Sequence, residues 1–320
     1  MKVIVTGASG FLGSWICRVL STEYDVIALI QNESSTKNLD GIQNLKFHRD
    51  EVSNWPKYIE KIVPHSLVLS DWWGVGNAYR NDQRQFENVT RFEALVRSAV
   101  SADVRKILGV GSQAELGPVS QTILENQVDS PTTLYGTAKV EARKLLFDLT
   151  ENSNTSATWM RIFSTYGPLD YGQWLIPDTI NALSEDREMN LTPGLQEWSY
   201  LHAFDLGLAF LKILNCPESI GIVNVGNPQT CTIKEVTQLI GSYFAKTELL
   251  NYGAIPYRTD QVMQLKPACE TLIDLGWSPK VSIQEGILQT IEWNIGVSSA
   301  SLLEARKLNL ELNLPHKTKL

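Results

Sequence analysis

Eight residues near the start of the chain restrict its fold more than any other feature. The apolar run Val3-Ile4-Val5 leads into Thr6-Gly7-Ala8-Ser9-Gly10-Phe11-Leu12-Gly13, and helical spacing follows through Ser14-Trp15-Ile16-Cys17-Arg18-Val19-Leu20. A strand that must turn at once into a helix needs glycine where the backbone doubles back. The helix start then presents free N–H groups and the positive end of its dipole to an anion. A strand before and a helix after give this GxxGxxG spacing the context of a dinucleotide pyrophosphate site.

The alternation continues along the first half. β-Branched runs at residues 3–6, 26–30, 67–69 and 106–110 take turns with amphipathic stretches at 14–20 and 92–100. Strand and helix periods alternating at this spacing predict βαβ units and a parallel sheet, hence an α/β fold. Further strands are expected at 158–162 and 222–225. Between them an insertion over 167–197, holding Pro168, Pro177 and Pro193, begins a second, smaller lobe. Helical spacing returns at 233–243, an irregular Gly/Pro-containing stretch covers 253–267, and a helical segment runs over 283–293. The expected division is a dinucleotide domain of 1–166 and 198–229, a substrate lobe of 167–197 and 230–296, and a helical tail of 297–320.

Charge narrows the partners. With 28 Lys+Arg against 35 Asp+Glu the net charge is -7, which argues against nucleic acid or an anionic membrane as a general partner. Any phosphate must be held locally. Cys17, Cys216, Cys231 and Cys269 form no CxxC pair and read as reduced packing residues, and His48, His65, His202 and His316 lack ligand spacing, so no metal site is expected. No charged leader or bilayer-length apolar run is visible, and a cytoplasmic location is expected.

The chemistry is carried by Tyr135-Gly136-Thr137-Ala138-Lys139, inside a helical stretch that continues through Val140, Ala142, Leu145 and Leu146. Four residues apart on a helix, Tyr135 and Lys139 share one face. A phenol of pKa about 10 exchanges a proton at neutral pH only if its phenolate is stabilised, and a nearby ammonium does that. Upstream, the run of residues 106–110 leads into Gly111-Ser112-Gln113-Ala114-Glu115-Leu116-Gly117. Together with the glycine turn, these segments resemble the short-chain dehydrogenases/reductases, with Leu116 where that family's SxxxYG commonly has tyrosine. Arg161-Ile162-Phe163-Ser164-Thr165-Tyr166-Gly167-Pro168, Leu275-Gly276-Trp277-Ser278-Pro279 and Ile255-Pro256-Tyr257-Arg258 resemble the extended branch, the nucleotide-sugar epimerases, dehydratases and reductases.

The resemblance implies a Rossmann-type doubly wound parallel sheet with a smaller C-terminal substrate-binding lobe, a nucleotide sugar in the cleft between them, and a homodimer formed through the helices at 92–100 and 137–149. Ser112, Tyr135 and Lys139 become the catalytic set: Ser112 orients the substrate carbonyl, Tyr135 supplies the proton, and Lys139 tunes the phenol and holds the nicotinamide ribose. The cofactor cleft takes Gly7, Ser9, Gly10, Phe11, Leu12 and Gly13 at the pyrophosphate, then Gln31, Asn32, Ser34 and Ser35 beyond the second strand. Glu51, Val52, Ser70, Asp71, Trp72, Asn88, Val110, Ile162, Phe163 and Ser164 surround the remainder. Trp73, Gln113, Ala114, Thr165 and Arg258 join Ser112 on the substrate side, Thr165 also beside the nicotinamide. Arg258 would make a bidentate contact with the substrate diphosphate, although a solvated loop arginine also suits its sequence context.

Three departures from the family pattern sharpen the expectation. The ribose-binding aspartate is replaced by Ile30, and Asn32, Ser34, Ser35 or Lys37 are available to a 2'-phosphate. This favours NADP(H) over NAD(H), with Glu33 as a remaining ribose acceptor. The Asp-Glu pair of the dehydratases and the cysteine of carbon-acid epimerases are absent: Gln113 and Ala114 exchange no proton at neutral pH. Glu115, the one acid in that segment, reads as a surface or capping carboxylate. Bulky Trp72 and Trp73 stand where relatives have small residues, and they wall the sugar pocket or serve core or interface packing. The expected reaction is reduction of a nucleotide-linked 4-keto-6-deoxyhexose. A 4-epimerase retaining NAD, a reductase of small ketones, and a non-catalytic nucleotide-binding sensor are the alternatives.

Overall fold

The computed structural model describes residues 1–258 and 261–296; the expected helical tail at 297–320 lies outside the described residues. Six strands, β1 (Lys2–Thr6), β2 (Asp25–Ile30), β3 (Lys46–Arg49), β4 (Ser66–Leu69), β5 (Lys106–Ser112) and β6 (Ser156–Ile162), join a last strand, Gly221–Val225, in one sheet. Every pairing in it is parallel, and the strands lie in the order Gly221–Val225, β6, β5, β4, β1, β2, β3. The expected doubly wound sheet is therefore present. Its order reverses between β1 and β4, where the connections depart to opposite sides and leave a crevice at the carboxyl ends of the strands.

Nine helices complete the described chain: α1 (Phe11–Leu20), α2 (Trp55–Ile62), α3 (Gln85–Ser101), α4 (Leu134–Thr150), α5 (Leu175–Ser184), α6 (Ala203–Leu214), α7 (Ile233–Phe244), α8 (Glu270–Asp274) and α9 (Ile283–Ile295). Successive strand residues face opposite sides of the sheet. Val3, Val5, Val26, Ala28 and Val68 thus share one buried cluster with Ile16 and Leu20 of α1 and Phe210 and Ile213 of α6. Ile4, Ile27, Leu29 and Leu67 share the other with Trp55 and Ile59 of α2, Phe92 and Val96 of α3, and Ala142 and Leu146 of α4. Burial on both faces is why the strands read as apolar runs rather than alternating ones.

Within the 167–197 insertion the chain forms α5, whose Ile176, Ile180 and Leu183 pack with Ile233, Val236 and Ile240 of α7 and Ile287 and Ile291 of α9. Pro177 falls in the first turn of α5, where its missing N–H costs no intrahelical bond. Strand β3 and helices α2 and α6 add to the elements expected from sequence. No helix among the described residues is long and apolar enough to cross a membrane.

Candidate active site

The glycine turn sits at the switch point. Gly7 has φ +62°, and a Cβ there would lie 2.8 Å from the backbone of Asp71, so the loop after β4 can approach β1 only over a glycine. Gly10 N–H donates to Gly7 O at 3.0 Å and closes the turn. Gly10 is also the N-cap of α1 and no side chain caps that helix, so its first-turn N–H groups have no capping side chain. Phe11, Leu12 and Gly13 occupy this first turn. Beside the turn β2 ends in buried Ile30, and the exposed Gln31 and Asn32 begin the following loop. That loop is tied to the turn: Asn38 Nδ2 donates to Ser9 O at 3.2 Å. Beyond β3, Glu51 N–H donates to Asp50 Oδ1 at 2.8 Å and introduces the short turn Val52–Asn54.

Ser112 ends β5 and Tyr135 and Lys139 lie in the first two turns of α4, and the structure brings the three together. Thr133 Oγ1 caps α4 by accepting from Gly136 N–H at 3.1 Å. Gly136 lets α4 meet the segment after Ser112, since a Cβ there would lie 2.2 Å from Ala114 O. The Ser112 side chain stands beside the Tyr135 phenol, and its Oγ accepts from Ala114 N–H at 3.2 Å. Burial raises the Tyr135 phenol above its ordinary range; the Ser112 hydroxyl and the Arg80 charge pull it back, and Glu115 pushes it up. Lys139 Nζ donates to Val110 O at 2.7 Å, and lies 3.6 Å from the Trp72 ring centroid and 5.9 Å from that of Tyr135. Burial pushes Lys139 down to about 7 against the opposing pull of Glu115 and Asp71. Asp71 itself is raised by burial, with Arg91 and Lys139 acting against that shift.

Glu115 corrects the surface alternative. It is fully buried, because its partners arrive from three directions. Oε1 accepts from Ser112 N–H at 2.7 Å and from Trp159 Nε1 at 2.9 Å, while Oε2 accepts from Arg143 at 3.3 Å and Arg161 at 3.4 Å. The capping role is present; it caps the turn Gln113–Glu115. Gln113 beside it has a buried Oε1 without a hydrogen-bond partner.

Trp72 and Trp73 ride on a loop held by α3. Trp72 Nε1 donates to Gln85 Oε1 at 2.9 Å, and Asn88 clamps Trp73 by accepting from its N–H at 2.9 Å and donating to its C=O at 3.0 Å. Trp72 meets Tyr135 edge to face at 6.3 Å, whereas Trp73 lies against the Arg84 guanidinium at 4.2 Å and is tilted against Tyr79 at 5.2 Å. Ser70 N–H and Asp71 N–H both donate to Thr6 Oγ1 at 3.2 Å. Ile162 and Phe163 are buried at the end of β6, with Ser164 and Thr165 half-buried after them. Arg258 is exposed on the loop following the strand Leu250–Tyr252.

One contributor escaped the sequence reading. Tyr135 N–H donates to Arg80 O at 2.8 Å and Leu134 N–H to Asn81 Oδ1 at 3.2 Å, so the loop before α3 caps the helix that carries Tyr135. The Arg80 guanidinium lies 5.5 Å from the Tyr135 ring centroid. No local pattern announces a contact that spans more than fifty positions.

These residues fit a dinucleotide: the turn is a cradle that side chains would fill, it lies at a helix start with no side-chain cap, and the Ser112, Tyr135 and Lys139 cluster stands beyond it. This is the architecture of a nicotinamide-dependent short-chain dehydrogenase/reductase of the extended type. The chain belongs to the NAD dependent epimerase/dehydratase family, whose model matches residues 3–226. It is 28% identical over 315 residues to dTDP-D-glucose 4,6-dehydratase of Mus musculus, covering 91% of this chain and 88% of that one. CDP-abequose synthase of Salmonella muenchen is 29% identical over 302 residues, covering 89% and 95%. In fold, the chain is similar to the UDP-glucose 4-epimerase of Thermus thermophilus, solved with NAD, with a TM-score of 0.82 at 20% identity, covering 93% and 100%.

Proposed function

We propose that the protein reduces the keto carbon of a nucleotide-linked 4-keto-6-deoxyhexose, with NADP(H) preferred over NAD(H). One observation carries this reading: Ser112, Tyr135 and Lys139 are assembled for a single proton transfer, and no second acid or base stands free in their segment. Gln113 and Ala114 carry no proton at neutral pH, and Glu115 is committed to Ser112, Trp159, Arg143 and Arg161. Elimination of water from a sugar needs such a second group; reduction of a carbonyl does not. The similarity to CDP-abequose synthase and to dTDP-D-glucose 4,6-dehydratase supports a nucleotide-sugar substrate.

The bound nicotinamide would supply the hydride. Ser112 orients the carbonyl oxygen, and Tyr135 donates its phenolic proton as negative charge develops there, so both act on the transition state. Lys139, as an ammonium, stabilises the phenolate left behind and holds the nicotinamide ribose. The lobe formed by 167–197 and 230–296 closes on the sugar nucleotide, with Arg258 at its diphosphate and Trp73, Gln113, Ala114 and Thr165 about the sugar. We place the enzyme in the cytoplasm as a homodimer built through α3 and α4.

The pH profile follows from Lys139. Reduction requires its charged form together with protonated Tyr135, and Lys139 loses its proton as pH rises through about 7. Activity in the reductive direction should fall across that range, and Lys139→Arg, which stays charged, should flatten the fall while lowering the rate. A wild-type rate that is flat between about pH 6 and 9 would contradict this role.

A 4-epimerase is the second reading, favoured by the likeness to UDP-glucose 4-epimerase in fold. A panel of nucleotide 4-keto-6-deoxysugars separates the two. A reductase consumes added NADPH in proportion to product, and an epimerase converts a saturated nucleotide sugar without added reductant.

A further inference from the structure

We infer that Arg49 binds the 2'-phosphate of NADPH and is the chief source of the cofactor preference, an assignment that rests on reading the crevice as a dinucleotide site. Arg49 ends β3 in register with Ile30, the last residue of β2. Its Nη1 donates to two carbonyls of the loop beyond β2, Asn32 O at 2.8 Å and Ser34 O at 2.9 Å. A cation on an exposed edge strand is thereby folded back over the loop where the adenosine ribose sits. Both bonds use the same nitrogen, so Nη2 and Nε are left to a ligand, and the side chain is exposed.

The loop beneath is held in place independently. Asn38 Nδ2 reaches Ser9 O in the glycine turn at 3.2 Å, and Arg18 of α1 donates to Asn38 O at 3.1 Å and Asp40 O at 3.2 Å. Residues 31–39 therefore run from beneath Arg49 to the edge of the glycine turn. Ser34, Ser35 and half-buried Lys37 lie along the same loop, and Ser35 Oγ accepts from Lys37 N–H at 3.3 Å.

The charges facing this point are mixed. Glu33 and Glu51 are exposed beside Arg49, and Asp50 Oδ1 is occupied by Glu51 N–H and Asn54. No carboxylate replaces the missing aspartate at Ile30, which is buried and apolar. Against a phosphomonoester, a planar guanidinium with its Nη2 and Nε donors unspent is the strongest partner available there.

The test is binding, with no substrate needed. NADPH and NADH are titrated by nicotinamide fluorescence against the full-length wild type, Arg49→Gln and Arg49→Lys, and adenosine 2'-monophosphate and 5'-monophosphate compete as fragments. The wild type should bind NADPH more tightly than NADH. Arg49→Gln should weaken NADPH by about 10- to 100-fold, the range for a lost charge-assisted contact, and leave NADH unchanged; Arg49→Lys should keep part of the preference. The 2'-monophosphate should displace cofactor better than the 5' isomer from wild type only.

Equal weakening of both dinucleotides by Arg49→Gln would show a loop-holding role and overturn the proposal. So would unchanged NADPH affinity, or a wild type without preference for NADPH. Those results leave the reductase reading standing, whereas a wild type that binds neither dinucleotide would remove both.

Discussion

Tyr135→Phe should lower carbonyl reduction by about a thousandfold, within the range for loss of a positioned general acid, and leave dinucleotide affinity unchanged. The phenyl ring keeps the edge-to-face contact with Trp72 and the place beside the Arg80 guanidinium, so the variant isolates the hydroxyl. That hydroxyl stands beside Ser112, lies in a buried cluster with Lys139, and is held protonated chiefly by burial. A phenol kept in its acid form suits the reductive direction, in which it must give a proton to a forming alkoxide. Single-turnover rates and cofactor titration on the same preparation separate the two effects. Retention of more than about a tenth of the rate is too small a loss for a general acid and would take Tyr135 out of that role.

Glu115→Ala should be the most damaging single change to stability. Removal of this carboxylate leaves Arg161, which is fully enclosed, and Arg143, at 6% exposure, without their shared partner. It also leaves Ser112 N–H and Trp159 Nε1 without acceptors. Breaking a buried pair from one side costs about 3–5 kcal/mol, since the surviving charge is not rehydrated. Arg143 keeps the Asp129 carboxylate, whereas Arg161 keeps only the neutral acceptors Glu125 O and Asn224 Oδ1. Glu115→Gln keeps an acceptor for Ser112 N–H and should fall between wild type and alanine. Urea unfolding midpoints check the order; an alanine variant as stable as wild type would mean that the arginines are rehydrated there.

Much of this arrangement was legible in the sequence, for reasons that also mark where legibility ended. The glycine turn is local: strand, turn and helix are contiguous, and each glycine answers a backbone demand within the segment or directly across from it. Tyr135 and Lys139 are likewise one helical turn apart, so spacing alone puts them on one face. Strand β3 was unreadable because Lys46, Phe47 and Arg49 are exposed at the sheet edge and carry no alternation. Helix α2 begins at Trp55 with Pro56 behind it, a pair that reads as a break although proline is well placed in a first helical turn. Burial of Glu115 depends on Arg143, Trp159 and Arg161, from α4 and β6, and Arg80 reaches Tyr135 across the fold. Such contacts are products of topology, and a linear pattern contains no trace of them.

In the reductase reading, hydride passes from cofactor to a sugar carbonyl with one proton from the protein. The decisive measurement supplies reduced nicotinamide cofactor carrying two deuteriums at C4 to the protein, with nucleotide 4-keto-6-deoxysugars in one incubation and saturated nucleotide sugars in a parallel one. One deuterium should appear at sugar C4 for each cofactor oxidised, with transfer by Tyr135→Phe slowed about a thousandfold. Conversion of a saturated nucleotide sugar to its C4 epimer, with no net cofactor oxidation and no deuterium in the product, would contradict it.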